Sequence, residues 1–206
     1  NGVDRIYHYC FRNCDSIKSV TLPDSVTICT NGVFSYCNGL RTVKLGKGLT
    51  HIAGSNTTWD PGYSYFDGEG LFYGCSSLTN VTLNASLLSI GNGAFYGCSS
   101  LPKVTIPGKV RTIGRYAFSK CGLLKNLTIG DSVRLIAYRA FYQNNKLETV
   151  KFGAKVQTIE EGAFSGCTAL KNFSLPNTVL RIGSWAFSSC TSLTRVSLPD
   201  SVGTLG

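Results

Sequence analysis

The sequence has no methionine, two histidines, two tryptophans and six prolines in 206 residues, and it carries 11 acidic residues against 20 basic ones. Each shortage removes a class of function. No apolar run approaches the ~20 residues that a membrane-spanning helix needs, so membrane insertion is not expected. His8 and His51 stand alone, with no acid or thiol spaced to build a triad with either. No Gly-rich loop runs into Lys-Ser or Lys-Thr to cradle a phosphate, and Gly46-Lys47-Gly48 reads as turn chemistry. Glu160 and Glu161 are adjacent and point different ways. An enzyme is not expected, and no cofactor is implied. No segment has the length and 3.6-residue period of an amphipathic helix.

What the chain has instead is a repeat. One phenylalanine recurs at Phe11, Phe34, Phe72, Phe95, Phe118, Phe141, Phe164 and Phe187, in steps of 23, 38, 23, 23, 23, 23 and 23 residues. The long step is one repeat plus 15 residues. Each unit reads A-F-x-x-C-x-x-L-x-x-V-x-L-P-x-x-V-x-x-I-G. Its V-x-L step has period two and predicts a short strand with two inward side chains. Turn residues such as Pro107, Gly130 and Pro176 end that strand. The I-G-x-x-A-F-x-x-C arc has room for a helical turn at most. A unit this short cannot bury its own apolar side, so copies must stack and turn each apolar column into part of one continuous core. At the usual strand spacing, eight coils span roughly 40 Å. The sequence therefore predicts one solenoid over residues 1–206, about eight 23-residue repeats with an inserted loop at about 55–69. The chain opens on Asn1 and stops at Gly206, just before another Ala-Phe pair is due, which reads as a section of a longer array.

Seven of the nine cysteines fill one column: Cys14, Cys37, Cys75, Cys98, Cys121, Cys167 and Cys190. Asn144 is the column's eighth member. Cys10 stands in the alanine slot and Cys29 in the isoleucine slot, so all nine are expected to point inward. Cys and Asn are both small and can hydrogen-bond buried backbone of an adjacent coil, so their interchange favours a reduced ladder. Disulfides between stacked coils are the alternative, within range of such spacing but poorly aimed. No Cys pattern suits zinc, and Asp60, Asp67 and Glu69 lack the spacing of an EF-hand calcium loop, so no metal is expected.

The motif, repeated eight times, resembles the BspA-type (Treponema-type) class of leucine-rich repeats. The resemblance covers Ile6 to Leu205 apart from the insertion. It implies a leucine-rich-repeat right-handed superhelix of the α/β horseshoe class, β-rich, with short strands and little regular helix. It also implies a cell-surface or secreted protein concerned with adhesion and with binding host or matrix proteins, and it brings no catalytic constellation.

Two features are candidates for partner binding. The insertion carries Trp59, Tyr63, Tyr65 and Phe66, aromatics that serve well as binding anchors, although a loop folded back over a solenoid edge would also use them. Residues 103–155 hold eleven bases and two acids, while the rest of the chain holds nine of each. By repeat position these bases form a belt around the solenoid and not a stripe. Lys44 and Lys151 take the outward strand slot, with Lys103 and Lys125 beside it. The first expectation is a protein partner met by the strand face and the insertion. The alternatives are acidic glycans or another polyanion held by the belt, and a ligand-free structural spacer. Nucleic acid is not expected, because no aromatics interleave with the bases at strand-face positions. Five N-x-Ser/Thr sequons begin at Asn56, Asn80, Asn84, Asn126 and Asn172. Glycans at Asn80, Asn126 and Asn172 would cover the strand face.

Overall fold

A computed structural model describes residues 2–54 and 69–206. Every strand is two or three residues long and every pairing is parallel. Coils are numbered one to eight here by their phenylalanines, Phe11 to Phe187.

The V-x-L steps pair in two three-stranded sheets. One joins Ser19–Thr21, Thr42–Lys44 and Asn80–Thr82. The other joins Lys103–Thr105, Asn126–Thr128 and Thr149–Lys151. The x-I steps form a seven-stranded sheet from His51–Ile52 to Thr204–Leu205, and a separate pair joins Arg5–Ile6 to Ile28–Cys29. Register is identical throughout: Val20 faces Val43, Val43 faces Val81, and Ile90 faces Ile113. In the interior of the array the strand residue that points inward is buried between more exposed flanks, as in Lys103-Val104-Thr105, while Val81 is half-buried and Leu205, in the last strand, is exposed. In coils seven and eight the V-x-L step forms no assigned strand. The valine slot of coil seven holds Phe173, whose ring lies against Phe152 and Phe187 at 5.4 and 4.9 Å. A ring in a slot sized for valine disturbs the ladder there.

The arc around each phenylalanine is not helical, and no helix occurs among the described residues. It carries a third run of inter-coil hydrogen bonds. Phe95 N donates to Ala117 O at 2.7 Å, and Phe118 N to Ala140 O at 2.8 Å. Two residues either side of the phenylalanine, the backbone turns left-handed. Gly93 and Gly97 do so at φ 61° and 70° in coil four, Tyr116 and Lys120 at 53° and 57° in coil five, and Arg139 and Gln143 at 51° and 56° in coil six. Each non-glycine residue held there costs on the order of 1–2 kcal/mol. The glycines of these two columns show where the chain needs that conformation, and nine other residues adopt it without glycine's freedom.

The core is one contiguous cluster. All eight phenylalanine rings stack as a single ladder, with centroids 5.0 to 5.6 Å apart and ring planes within 17° of parallel. Beside it runs the expected cysteine ladder, without disulfides. From Cys37 onward each thiol of the column donates to the phenylalanine carbonyl of the coil before, with Cys98 to Phe72 O, Cys121 to Phe95 O, Cys167 to Phe141 O and Cys190 to Phe164 O at 3.3 Å. Asn144 makes the same bond with its amide, Nδ2 to Phe118 O at 3.0 Å. Its Oδ1 is buried without a partner, so the exchange of Cys for Asn keeps the donor and adds an acceptor with no hydrogen bond.

The expectation that all nine cysteines face inward is corrected at the N-terminal end, where Cys10 is exposed and Cys14 half-buried. Both lie in coil one, which has a coil stacked on one side only. Burial pushes Cys29 and Cys190 up to about 11 and Cys75 and Cys121 up to about 12, so these thiols stay protonated at neutral pH. Iodoacetamide applied to the native protein is therefore expected to modify Cys10 first, Cys14 more slowly and the seven others only after unfolding. Mass spectrometry of tryptic peptides checks this. Rapid native labelling of Cys98 or Cys121 would contradict the ladder.

Candidate interaction surfaces

The sequence candidates divide between two of the solenoid's outer faces. The first is the outer side of the V-x-L sheets. Its central outward column begins Thr21, Lys44, Thr82 and continues Thr105, Thr128, Lys151. Lys103 stands one column away, level with Asn126 and Thr149. Lys44, Lys103 and Lys151 are exposed on this face, and Thr suits such positions because its β-branched side chain packs on a pleated surface. Lys125 precedes its strand. Its carbonyl accepts from Glu148 N, and the Glu148 carbonyl accepts from Lys171 N in the next coil. Glu148 pairs with Lys171 at 3.1 Å and also feels the charges of Lys125 and Lys146. Lys125 is thus offset by an acid, while Lys44, Lys103 and Lys151 are in no ion pair among the described residues.

Asn80, Asn126 and Asn172 are exposed at the edge of this face. Asn126 Oδ1 accepts from Thr149 Oγ1 at 2.7 Å, and Asn172 Oδ1 from Arg195 N at 3.0 Å, so these side chains tie neighbouring coils together. Asn84 is different: it is buried and fully hydrogen-bonded.

The second face is the outer side of the phenylalanine arc. The insertion leaves the solenoid on this side, between Gly54 and Glu69, just before Phe72. Trp59, Tyr63, Tyr65 and Phe66 lie outside the described residues. Glu69, where the chain rejoins the solenoid, is held by coils one and two. Arg12 forks onto its carboxylate, Nη2 to Oε1 at 2.8 Å and Nε to Oε2 at 3.0 Å, and the Ser35 hydroxyl donates to Oε2. Partial burial pushes the Glu69 carboxyl up, but the bonds from Arg12 and Ser35, together with the Arg12 charge, outweigh it and hold the group below its ordinary value. A carboxyl lowered in the folded state stabilises above its unfolded pKa and loses that contribution as pH falls through the folded one. Between about pH 6 and pH 3 the melting temperature of the parent should therefore fall further than that of Glu69→Gln. Identical pH profiles would show that Arg12 and Ser35 do not hold this carboxyl.

The same face collects tyrosines from several columns of the repeat, some in register and some not. Tyr73 and Tyr96 stack at 4.6 Å, and Tyr116 meets Tyr138 edge-on at 5.2 Å. Three cations sit over these or neighbouring rings. Arg12 lies over Tyr36 at 5.3 Å and Lys120 over Tyr96 at 5.5 Å. Arg139 lies 5.0 Å from both Tyr138 and Tyr142. Repeat arithmetic shows the columns but not that side chains one, two and three places from the phenylalanine converge across coils. The left-handed residues cause that convergence by redirecting the chain twice per arc.

His51 Nδ1 lies 2.9 Å from Thr50 Oγ1, and His8 is beside Tyr9 in coil one, so the two histidines are not brought together. Among the described residues no three His, Cys, Asp or Glu side chains form a metal-sized cluster, and no helix is long and apolar enough to cross a membrane.

Short parallel strands that recur once per repeat in each sheet, with a continuous ladder of apolar columns behind them, define a leucine-rich-repeat solenoid. The BspA type leucine-rich repeat region matches residues 1–56 and 68–194 in six copies, and the chain belongs to that family. The gap in the match falls inside the insertion. No curated protein matches the sequence. A leucine-rich repeat protein of T. pallidum is similar in structure, with 26% identity over 93% of this chain and 72% of its own, at a TM-score of 0.62. A leucine-rich cell surface protein of Faecalibacterium prausnitzii A2-165 shares the fold, with 21% identity over 97% of this chain and 78% of its own, at a TM-score of 0.50.

Proposed function

We propose that this chain is a non-catalytic protein–protein interaction module of a cell-surface or secreted adhesion protein, and that it binds a host or matrix protein. The observation that carries this reading is the outer face of the V-x-L sheets. It is regular and exposed, and it is held rigidly by the Phe and Cys ladders behind it, with side chains that are small, hydroxylated or basic. Such a face costs little conformational entropy when a partner settles on it. Membership of the BspA-type family supports the surface location. In this reading Lys44, Lys103, Lys125 and Lys151 make the polar contacts on the strand face, and the aromatics of the insertion offer a separate point of contact. Residues 1–206 act in this reading as one section of solenoid. Deleting 55–69, or reversing charge at Lys103, Lys125 and Lys151, should weaken capture of fibrous matrix proteins or whole host cells in a plate-binding assay. If both variants bind as the parent does, this assignment of the site fails.

A second reading is favoured by the charge distribution. None of the eleven bases in 103–155 is in an ion pair among the described residues. A belt with so few acids attracts acidic glycans. Retention on a heparin column with steep salt dependence supports the reading, and elution with other mildly basic proteins removes it.

A further inference from the structure

We infer that the gap in the strand face between coils three and four is a docking site for an extended acidic segment of a partner protein, which adds a strand to the exposed edge of Lys103–Thr105. The inference rests on the first reading above and names the part of the strand face that the partner meets.

The gap starts from one residue. The position before each V-x-L strand donates its amide to the same position of the coil before. Arg41 N reaches Lys18 O at 2.9 Å, Thr79 N reaches Arg41 O at 3.0 Å, and Lys125 N reaches Pro102 O at 2.8 Å. Coil four carries Pro102 there, which has no N–H to offer Thr79 O. The ladder does not recover beyond it. Asn80–Thr82 pairs only with coil two, and Lys103–Thr105 only with coil five. Most Cα pairs between these two strands lie more than 8 Å apart. A directly paired strand stands ~4.8 Å away, and one intervening strand needs ~9.6 Å. On their other sides the two coils stay together: Phe72 N donates to Ala94 O at 2.9 Å, and Ile90 pairs with Ile113. The opening is thus a wedge confined to the strand face.

The wedge is open and unfilled among the described residues. Val81 and Leu83 are half-buried on its floor, whereas Val43, Val104 and Ile106 in the same columns are at most 2% exposed. The ladder also lapses between Ile28–Cys29 and His51–Ile52, but Cys29 and Ile52 remain buried there. In coils six and seven the rings of Phe152 and Phe173 pack against each other in the equivalent space. The lips of the wedge present main chain. Asn80 N is bonded to Arg41 O and Thr82 O accepts from Leu45 N, both in coil two, so the N–H and C=O of Val81 point into the gap. Lys103 and Thr105 aim theirs at it from the other lip, because Ile106 N is bonded to coil five at Thr128 O. Leu83 N lacks, among the described residues, the bond that Leu45 N and Ile106 N make to the next coil. An unpaired strand edge is a template for another strand.

The chemistry of the occupant follows from what surrounds the gap. Residues 70–130 carry six bases and no acid. Lys103 stands on one lip, exposed and outside any ion pair among the described residues. A strand laid along Lys103–Thr105 turns alternate side chains outward beside Lys103 and inward toward Val81 and Leu83. Acidic residues suit the first set and small apolar residues the second.

The probe for the test is a short fluorescein-labelled peptide that alternates glutamate with valine. Fluorescence anisotropy should show it binding the parent, with a lysine–valine peptide of the same length at least about tenfold weaker. N-methylation of its backbone amides keeps charge and side chains but removes the donors, and should cost at least about tenfold. Pro102→Lys restores the missing amide with a residue that the column already holds at 18, 125 and 171. It adds a positive charge, yet it should close the wedge and weaken binding at least about tenfold. The amides of Val81 and Thr105 should exchange hydrogen quickly in the parent and slowly in Pro102→Lys, which also shows that the variant is folded. Parent-like binding of the N-methylated peptide, or parent-like binding by Pro102→Lys, overturns strand addition at this gap. So does a parent that does not bind the glutamate–valine peptide. In each case, matrix-protein capture that is lost on charge reversal at Lys103, Lys125 and Lys151 leaves the first reading standing. A parent dimer in sedimentation equilibrium that Pro102→Lys dissociates overturns the assignment in favour of a second copy of the chain.

Discussion

Phe118→Ala is expected to destabilise the solenoid by about 3–5 kcal/mol, the range for large aromatic truncations in packed cores. Phe118 is fully buried, and its ring lies between Phe95 at 5.0 Å and Phe141 at 5.5 Å. Truncation therefore leaves a cavity in the middle of the ladder with no loop able to close over it. Relaxation is restrained on all sides. The Phe118 amide is bonded to Ala140 O, and its carbonyl accepts from Asn144 Nδ2. Because stability in a stacked array lies largely in nearest-neighbour contacts, the damage falls on both interfaces of coil five at once. Phe11→Ala is the internal comparison. That residue is the same type in the same column, but it stands 38% exposed with a ring on one side only, and its loss should be the smaller by at least about half. Urea unfolding of the three proteins measures the difference. Equal effects at the two positions would mean that the ladder is not the stabilising core.

The second large effect is expected at Asn84, where alanine should cost about 2–4 kcal/mol, because buried backbone groups lose their partners. Asn84 stands in the turn column that holds Pro107 and Pro176, yet it is 8% exposed. Its Nδ2 donates to Gly46 O at 2.7 Å and Leu49 O at 2.8 Å, and its Oδ1 accepts from Ser86 N at 2.8 Å. One side chain thus fastens the first complete turn after the insertion to the coil before it. Gly46 O keeps the Leu49 amide as a second donor at 3.3 Å, so the penalty falls mainly on Leu49 O and Ser86 N. A stability loss below about 1 kcal/mol would place this amide outside the structural frame. The same geometry closes the Asn84 sequon to modification in the folded protein, while Asn80, Asn126 and Asn172 stay open at the sheet edge. A glycan found on Asn84 would require the turn to open.

Much of the molecule is written in one dimension. A 23-residue period with fixed apolar columns has one low-energy solution, because a unit that cannot bury its own face must stack on its neighbour. Register, the phenylalanine ladder and the equivalence of Asn144 with the cysteines all follow from that requirement. So does the outward placement of Lys44, Lys103 and Lys151, since side chains alternate along a strand. The period alone did not tell that Cys10 is exposed, because burial in coil one depends on what stacks against it and not on its slot.

The tertiary structure decided the rest, and the arc shows why. Its two left-handed positions are hinted at by Gly93, Gly97, Gly162 and Gly166, but Tyr116, Lys120, Arg139 and Gln143 hide them in the neighbouring coils. Backbone conformation at these sites is imposed by hydrogen bonds to the next coil, 22 residues away for Tyr116 and Tyr138, and not by local preference. Those bends bring Lys120 over Tyr96 and Arg139 between Tyr138 and Tyr142, contacts between columns that a one-dimensional alignment keeps apart. Within the array the sequence therefore determined which side chains are buried, because burial there follows the period, while Cys10, Phe11, Val196 and Leu198 in the first and last coils are exposed in the same columns. Which exposed side chains meet was decided only by the path of the folded chain, because surface neighbours are set by backbone turns that several residue types can make.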